Sequence, residues 1–455
     1  MIPINWANKR SIKSPASYQS TFQGFESRQV TRTISLYIYI IEKLKLVYKD
    51  MGIYKDLGVK KVINCISTSS MLGSSVNFSP RWPEVIDATN EASRHFVCIN
   101  QLQEKAGNII TKITGAESAI VTAGCAAGLT LATAACMTKG TDLEKYRPST
   151  EPSAEYPPYP YSTWSPKAVK LLDQLPNTEG LKNEVIQQRC TLYHYTRVVR
   201  ATGASVILVG KSNQCAPKEI EEKISEKTAA ILFVGLYRHR GVPLEDVIKI
   251  AKRYSVPVIV DAAYTLPPKE NLRRWISMGA DLVCYSGGKS IGGPSDTGWL
   301  CGREDLVKLA WLQMAPQHGI GRGCKVDRTQ IVALVKCLQI YVEQDEHAIF
   351  KANEAKAKYM ENELKKLTNV MKVKRFLPIE GPLQGWPVIC LTLNEETLGI
   401  KTSEVINELY KGEPSIWTYY DHPLYCPGGI TMNTENLAYG EEKIVVERLR
   451  KILMK

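Results

Sequence analysis

Residues 256–302 read VPVIVDAAYTLPPKENLRRWISMGADLVCYSGGKSIGGPSDTGWLCG, and this stretch decides the fold. The β-branched apolar run 256–260 has the composition of a buried strand and ends abruptly in Asp261. A second apolar run, 282–285, ends in Ser286-Gly287-Gly288-Lys289, and a third short strand is expected over 298–302. Two strand ends thus deliver an acid and a glycine-flanked lysine. Open α/β sheets place their chemistry at the carboxyl ends of their strands, so Asp261 and Lys289 are the candidate reacting groups.

A lysine in a glycine-rich loop, taken alone, signals a phosphate contact or nothing. Preceded by Ser286 and by a strand-end acid, it fits pyridoxal phosphate (PLP) chemistry on an aspartate-aminotransferase-like fold. There the Lys289 amine would form a Schiff base with the cofactor aldehyde, and Asp261 would pair with the pyridinium nitrogen. The glycines let the backbone approach the cofactor.

Upstream, a strand is expected over 116–122, followed by the turn Ala123-Gly124-Cys125-Ala126-Ala127-Gly128 and a small-residue helix over 129–137. Free N–H groups of a first helical turn point at phosphate oxygens, so Gly124, Cys125, Ala126 and Ala127 form a candidate phosphate cradle. Tight packing of a helix on a sheet would select the same small residues. Helical spacing covers 83–113. Further strands are expected at 184–188, 205–209 and 229–234, with helices at 217–225 and 244–254 and one opened by Tyr193-His194-Tyr195. This alternation implies a mostly parallel, doubly wound sheet.

Downstream, Gly319 begins the run GIGRGCKVD, whose Asp327 can cap one long helix over 328–367. A strand over 388–393, a helix over 403–411, a strand-rich segment over 416–432 and a terminal helix over 441–454 complete a smaller α+β domain. The expected organisation is a basic extension over 1–50, a large cofactor-binding domain over 51–326, and a linker helix with small domain over 327–455. Residues 142–180, rich in proline and tyrosine, are expected to be an insertion in the large domain, as a surface loop or extended segment. Residues 1–34 hold Glu26 as their only acid and read as a disordered tail, with Met51 an alternative start and an amphipathic helix over 35–48.

The 455 residues allow two or three domains and a large core, and 44% hydrophobic with 23% charged residues is a globular composition. A net charge of +12 permits an anionic partner without naming one. No apolar run approaches the ~18 residues of a membrane span, and no secretory leader pattern is present. Of 12 cysteines, Cys65, Cys136, Cys284, Cys301 and Cys390 lie in apolar runs and are expected to be reduced core residues. The closer pairs lack metal-site spacing, so no metal is expected, and a reducing cytoplasm is the simplest setting.

The blocks VINCISTSSMLGSS, HFVCINQLQEKAGNIITKITGAESAIVTAGCAAGLTLATAA, LKNEVIQQR, LEDVIKIAKRYSVPVIVDAAYTLPP, ENLRRWISMGADLVCYSGGKSIGGPSDTGWLCG and GIGRGCKVD closely resemble one branch of the fold-type-I PLP enzymes. That branch contains L-seryl-tRNA(Sec) selenium transferase (selenocysteine synthase) and the D-glucosaminate-6-phosphate ammonia-lyase-like proteins. The resemblance covers 53–455 apart from the insertion. It leans to the ammonia-lyase side, because the transferases carry an additional tRNA-binding domain that this short, irregular tail does not supply. It implies Lys289 as the cofactor lysine, Asp261 as the pyridinium partner, and Ser286 with the 124–127 turn as phosphate ligands. Arg322 and Lys325 match basic positions near the substrate or the neighbouring subunit's cofactor, although they also read as surface charges at a helix start. Departures are present too: a Gly is usual near Ser67 and an Arg near Met71. A cofactor-stacking His is replaced by Thr191, leaving Tyr193 or His194 for that role.

The implied activity is α,β-elimination of the ammonia-lyase type on a hydroxylated or phosphorylated amino acid or amino-sugar acid. The alternatives are a selenium transferase acting on tRNA and a catalytically altered PLP-fold binding protein. A homodimer or higher oligomer is implied, with the cofactor site between subunits.

Overall fold

The computed structural model describes residues 52–66, 72–74, 81–148, 150, 170–367, 371–377, 385–422 and 426–454. The expected tail and 35–48 helix, the changed positions near Ser67 and Met71, and most of the insertion lie outside them. The chain divides at Lys61/Val62. In the first unit a five-residue helix, Gly52–Asp56, is described.

In the second unit, β1 (Val62–Asn64) precedes seven strands that form one sheet: β2 (Ser118–Thr122), β3 (Glu184–Gln188), β4 (Ser205–Val209), β5 (Thr228–Val234), β6 (Val258–Asp261), β7 (Leu282–Ser286) and β8 (Gly298–Gly302). Their order is β2-β8-β7-β6-β5-β3-β4, and only β8 runs antiparallel to its neighbours. Successive residues of the central strands β6 and β7 enter different cores. Val258 and Val260 face one cluster and Ile259 the other; Val283 and Tyr285 oppose Leu282 and Cys284 in the same way. Both faces are covered, which explains why these strands are continuously apolar in sequence rather than alternating.

Helices α1 (Trp82–Ser93) and α2 (Ile99–Thr114) replace the single helical stretch expected over 83–113. α3 (Gly124–Thr138) starts where a turn was expected, so Gly124 to Ala127 are its first turn. Cys125 and Ala127 to Met137, apart from Thr130, are buried. A Cβ on Gly128 would already touch Cys284 Cβ and Sγ at 3.4 Å, which is why this helix is built of small residues. α4 (Leu244–Arg253) and α5 (Asn271–Met278) flank β6 in sequence. Parts of the expected insertion join the core rather than the surface: Leu143, Leu172 and Leu175 are buried.

The long helix expected over 328–367 is two helices, α6 (Arg328–Glu343) and α7 (Glu346–Lys365). Asp327 caps α6 as expected, accepting from Thr329 N at 3.2 Å while Gln330 Oε1 accepts from Asp327 N at 2.7 Å. The break comes at Gln344, which is extended (ψ 146°), and Asp345 starts a new helix by accepting from Ala348 N at 3.0 Å. Glu346 is drawn back to the sheet side by Lys269 N at 3.1 Å and Tyr341 Oη at 2.9 Å.

A four-stranded antiparallel sheet, ordered β12-β13-β10-β9, combines β9 (Met371–Phe376), β10 (Val388–Leu393), β12 (Tyr419–His422) and β13 (Cys426–Asn433). β11 (Ser415–Trp417) pairs in parallel with β1, so Ile63 and Cys65 sit in this C-terminal core beside α8 (Thr402–Lys411) and α9 (Glu441–Leu453). Cys390 is not reduced as expected but is joined to Cys426, because β10 and β13 are hydrogen-bonded neighbours across a sequence separation of 36. Cys65, Cys136, Cys284 and Cys301 are free and buried, as expected. Among the described residues no helix is long and apolar enough to cross a membrane, and no cluster of three metal-ligating side chains occurs.

Candidate active site

The two strand ends singled out in the sequence are neighbours: β6 and β7 pair in parallel with Asp261 opposite Cys284. Asp261 is 4% exposed, and its carboxylate meets three donors. Ala263 N donates to Oδ1 at 2.9 Å and the Cys125 thiol to the same oxygen at 3.4 Å, while the Tyr193 hydroxyl donates to Oδ2. Burial and the charge of Asp261 push the Cys125 thiol far above its ordinary range and raise Tyr193 in the same way, so both stay protonated and act as donors. A buried carboxylate with this set of donors is held in one orientation.

Lys289 projects from a loop folded against itself. Gly287 N donates to Thr297 O at 2.8 Å, Gly292 N to Lys289 O at 2.7 Å and Gly293 N to Gly287 O at 2.9 Å. Gly287 has no room for a side chain, since a Cβ would lie 2.5 Å from both Leu334 Cδ1 and Thr297 Oγ1. The Lys289 ammonium lies 5.0 Å from the centre of the Tyr264 ring. Burial pulls its pKa below the usual lysine value, opposed by the charges of Asp261 and Glu435. Next in sequence, Ser290 Oγ bridges Leu266 O (3.0 Å) and Glu435 Oε1 (3.2 Å), tying the lysine loop to the acid's loop and to the segment after β13.

Ser286 pairs with Gly298 in the sheet, and Gly298 lies hard against the start of α3. A Cβ on Gly298 would sit 2.8 Å from Gly124 C and 2.9 Å from Cys125 N. The first turn of α3 has no side-chain cap, and a Cβ at Gly124 (φ +87°) would meet open space. Uncapped N–H groups at a helix start suit an anion, and Ser286 belongs to the strand next to the glycine that touches this start. Cradle, lysine and anchored acid together fit pyridoxal phosphate: a place for its phosphate, an amine for its aldehyde and an anion for its ring nitrogen.

The other expected residues divide. Tyr193 is inside, on Asp261, whereas its neighbour His194 is exposed, and Thr191 is buried with its hydroxyl on Gln188 O at 2.9 Å. Arg322 is half-buried in a loop pinned by Gly321 N to Gln313 O at 2.8 Å, and its Nε is buried without a hydrogen-bond partner among the described residues. Lys325 is exposed. Sequence reasoning missed Tyr264 and Glu435. Tyr264 lies within the quoted stretch, three residues after Asp261, but was given no role, and Glu435 comes from a distant strand end that carries no motif.

The family model of L-seryl-tRNA selenium transferase matches residues 182–376. D-glucosaminate-6-phosphate ammonia lyase from Salmonella typhimurium is 30% identical over 420 residues, covering 89% of this chain and 97% of that protein. A 5'-C-glycyluridine monooxygenase-decarboxylase from Streptomyces sp is 28% identical over 382 residues, covering 81% and 85%. Among solved structures, that of D-glucosaminate-6-phosphate ammonia-lyase superposes with a TM-score of 0.68 at 28% identity, over 89% of this chain and 98% of the other.

Proposed function

This chain belongs to the family of PLP-dependent enzymes that includes D-glucosaminate-6-phosphate ammonia lyase, and from that premise we propose that it is a lyase of the ammonia-releasing type. The substrate is a hydroxylated or phosphorylated amino acid or amino-sugar acid, converted with overall loss of ammonia to a 2-oxo acid. Pyridoxal phosphate, when bound, supplies the electron sink that acidifies the substrate Cα–H. Asp261, oriented by its three donors, would face the ring nitrogen and favour its protonated form, as an opposite charge does. Lys289 would hold the cofactor through its aldehyde, and its amine would be the base that takes the substrate Cα proton. Its lowered pKa leaves more of it as the neutral base near pH 7. Ser286 and Gly124 to Ala127 bind the cofactor phosphate, Tyr193 orients Asp261, and Arg322 with Lys325 binds the substrate carboxylate.

The juxtaposition of Lys289 and Asp261 at adjacent strand ends carries this assignment. Lys289→Ala should abolish the cofactor absorbance near the visible edge; an unchanged spectrum would sink it. Screening amino acids and amino-sugar acids for released ammonia and oxo acid identifies the substrate.

The family-model match over 182–376 also supports a transferase acting on tRNA, for which a gel shift with tRNA at two salt concentrations is the test. A homo-oligomer is part of the proposal: Phe96 is 99% exposed beside half-exposed Val97, an apolar edge suited to a second copy. A cytoplasmic setting is supported by the ten free cysteines.

A further inference from the structure

Two amides end the otherwise apolar run of β3, which reads Val185-Ile186-Gln187-Gln188, and both are buried. A strand covered on both faces carries an amide at a cost in stability unless its donor and its acceptor both find partners. Here both glutamines find them. Gln188 accepts from Val242 N at 2.6 Å and donates to Val242 O at 3.1 Å, holding the loop after β5. Gln187, with 0% of its surface exposed, turns to a different loop: its Nε2 donates to Thr191 O at 3.1 Å and its Oε1 accepts from Thr196 Oγ1 at 2.9 Å.

Those two partners bracket the turn that carries Tyr193. Other bonds of the turn run between its near neighbours, from Leu192 N to Arg189 O at 3.1 Å and from Thr196 N to Tyr193 O at 3.2 Å. Thr191 Oγ1 adds a bond to Gln188 O at 2.9 Å. One buried amide therefore fastens both ends of the turn to one point of the sheet. From there the Tyr193 hydroxyl donates to Asp261 on β6, a strand separated from β3 by β5. The Tyr193 ring is tilted against Tyr195 at 5.7 Å and meets Tyr237 edge-on at 6.4 Å. Ring contacts of this kind tolerate a wide range of distances and angles, so the place of the hydroxyl is set by the backbone from which the ring hangs.

We propose that Gln187 is a positioning residue for the cofactor ring. By holding Thr191 and Thr196 it sets the Tyr193 hydroxyl on Asp261, and through that carboxylate it sets the seating of the pyridine ring. The proposal rests on the cofactor assignment above and extends it to a residue whose own polar atoms are already taken and which has no surface open to the site. A fully satisfied buried network of this kind confers rigidity that no single bond in it supplies.

The test uses the full-length protein and two substitutions. Gln187→Met keeps an unbranched side chain and removes both polar atoms, and Thr196→Val keeps the branched shape and removes one bond. Titration followed by absorbance gives the affinity for pyridoxal phosphate, and circular dichroism of the bound cofactor in the visible region reports how its ring is held. Gln187→Met should weaken affinity at least tenfold and halve the dichroic band, and Thr196→Val should weaken affinity at least threefold. In a Tyr193→Phe background, where no hydroxyl is left to place, each should change affinity less than twofold, because residues acting through one another are not additive. Equal losses in both backgrounds would mark the glutamine as a purely structural brace and overturn the proposal. So would single variants whose affinity and dichroism match wild type, whatever their urea midpoints. If Gln187→Met does not fold, the same comparison made with Thr196→Val decides. A wild-type protein without cofactor absorbance would refute the cofactor assignment instead. The anchoring is then read in the apoprotein, where Thr196→Val should halve the drop in urea midpoint caused by Tyr193→Phe, and an undiminished drop would overturn it.

Discussion

Gly298→Ala tests the geometry on which the phosphate cradle depends. A Cβ at this position would lie 2.3 Å from Tyr285 O, 2.8 Å from Gly124 C and 2.9 Å from Cys125 N. All three atoms are backbone, so no side chain can rotate away; either the β7–β8 ladder opens or the start of α3 retreats by roughly 1 Å, since carbon contacts rest near 3.5–4 Å. Overpacking of this kind costs about 1–3 kcal/mol, and a rigid backbone neighbour on two sides puts this case near 3 kcal/mol. That is a large share of the roughly 5–15 kcal/mol that stabilises a folded domain.

The retreat of α3 would also displace the N–H groups of its first turn from the proposed phosphate position, so affinity for pyridoxal phosphate should fall at least tenfold. Urea denaturation of the apoprotein gives the stability change, and titration followed by absorbance gives the affinity. Two companion substitutions separate space from backbone conformation. Gly124→Ala meets open space but a left-handed φ of +87°, and should cost about 1–2 kcal/mol. Gly323→Ala meets neither obstacle and should be neutral within about 0.5 kcal/mol. A Gly298→Ala protein within about 1 kcal/mol of wild type, with cofactor affinity intact, would refute the close apposition of β8 and α3.

Removing the hydroxyl in Tyr193→Phe strips a charge-assisted hydrogen bond from buried Asp261 and should destabilise the apoprotein by about 2 kcal/mol in urea titration; a loss under about 0.5 kcal/mol would contradict that bond. Asp345→Ala removes the cap at the start of α7 and should cost about 1 kcal/mol, measured in the same way. Burial pushes the Asp305 carboxyl up, but Lys139 at 2.7 Å and the Arg303 fork outweigh it and hold its pKa below the usual value. A depressed carboxylate contributes stability above its unfolded pKa and loses it as pH falls through the folded value. Asp305→Asn should therefore flatten the fall in denaturation midpoint between about pH 5 and 3. Because the side chain is 41% exposed, the effect should stay under about 1 kcal/mol.

Strand runs such as 184–188, 205–209 and 298–302 appear in the structure with the bounds expected from their composition. Unbroken β-branched runs between turn residues can be buried only in a sheet covered on both faces, and that was enough to infer parallel pairing and the strand-end placement of Asp261 and Lys289. The lysine was legible for the same reason: glycines, a serine and a strand end are local signals, written within a few residues. Local signals failed where two adjacent residues part company. Nothing in the order Tyr193-His194 says which ring turns toward Asp261, because both occupy the same short turn and only its path beneath Tyr237 decides.

Asp345 could have been read as a cap, but the break at Gln344 is completed by Glu346 reaching Lys269 and Tyr341, one of them far away in sequence. By itself, then, the sequence determined the covered parallel sheet and the acid and amine at its strand ends. The folded chain alone decided that Cys390 meets Cys426, that β1 joins β11, and that Glu435 reaches the lysine loop. Periodicity and turn chemistry are set within a handful of neighbouring residues, whereas each of these meetings depends on which distant segments become neighbours once the cores are packed.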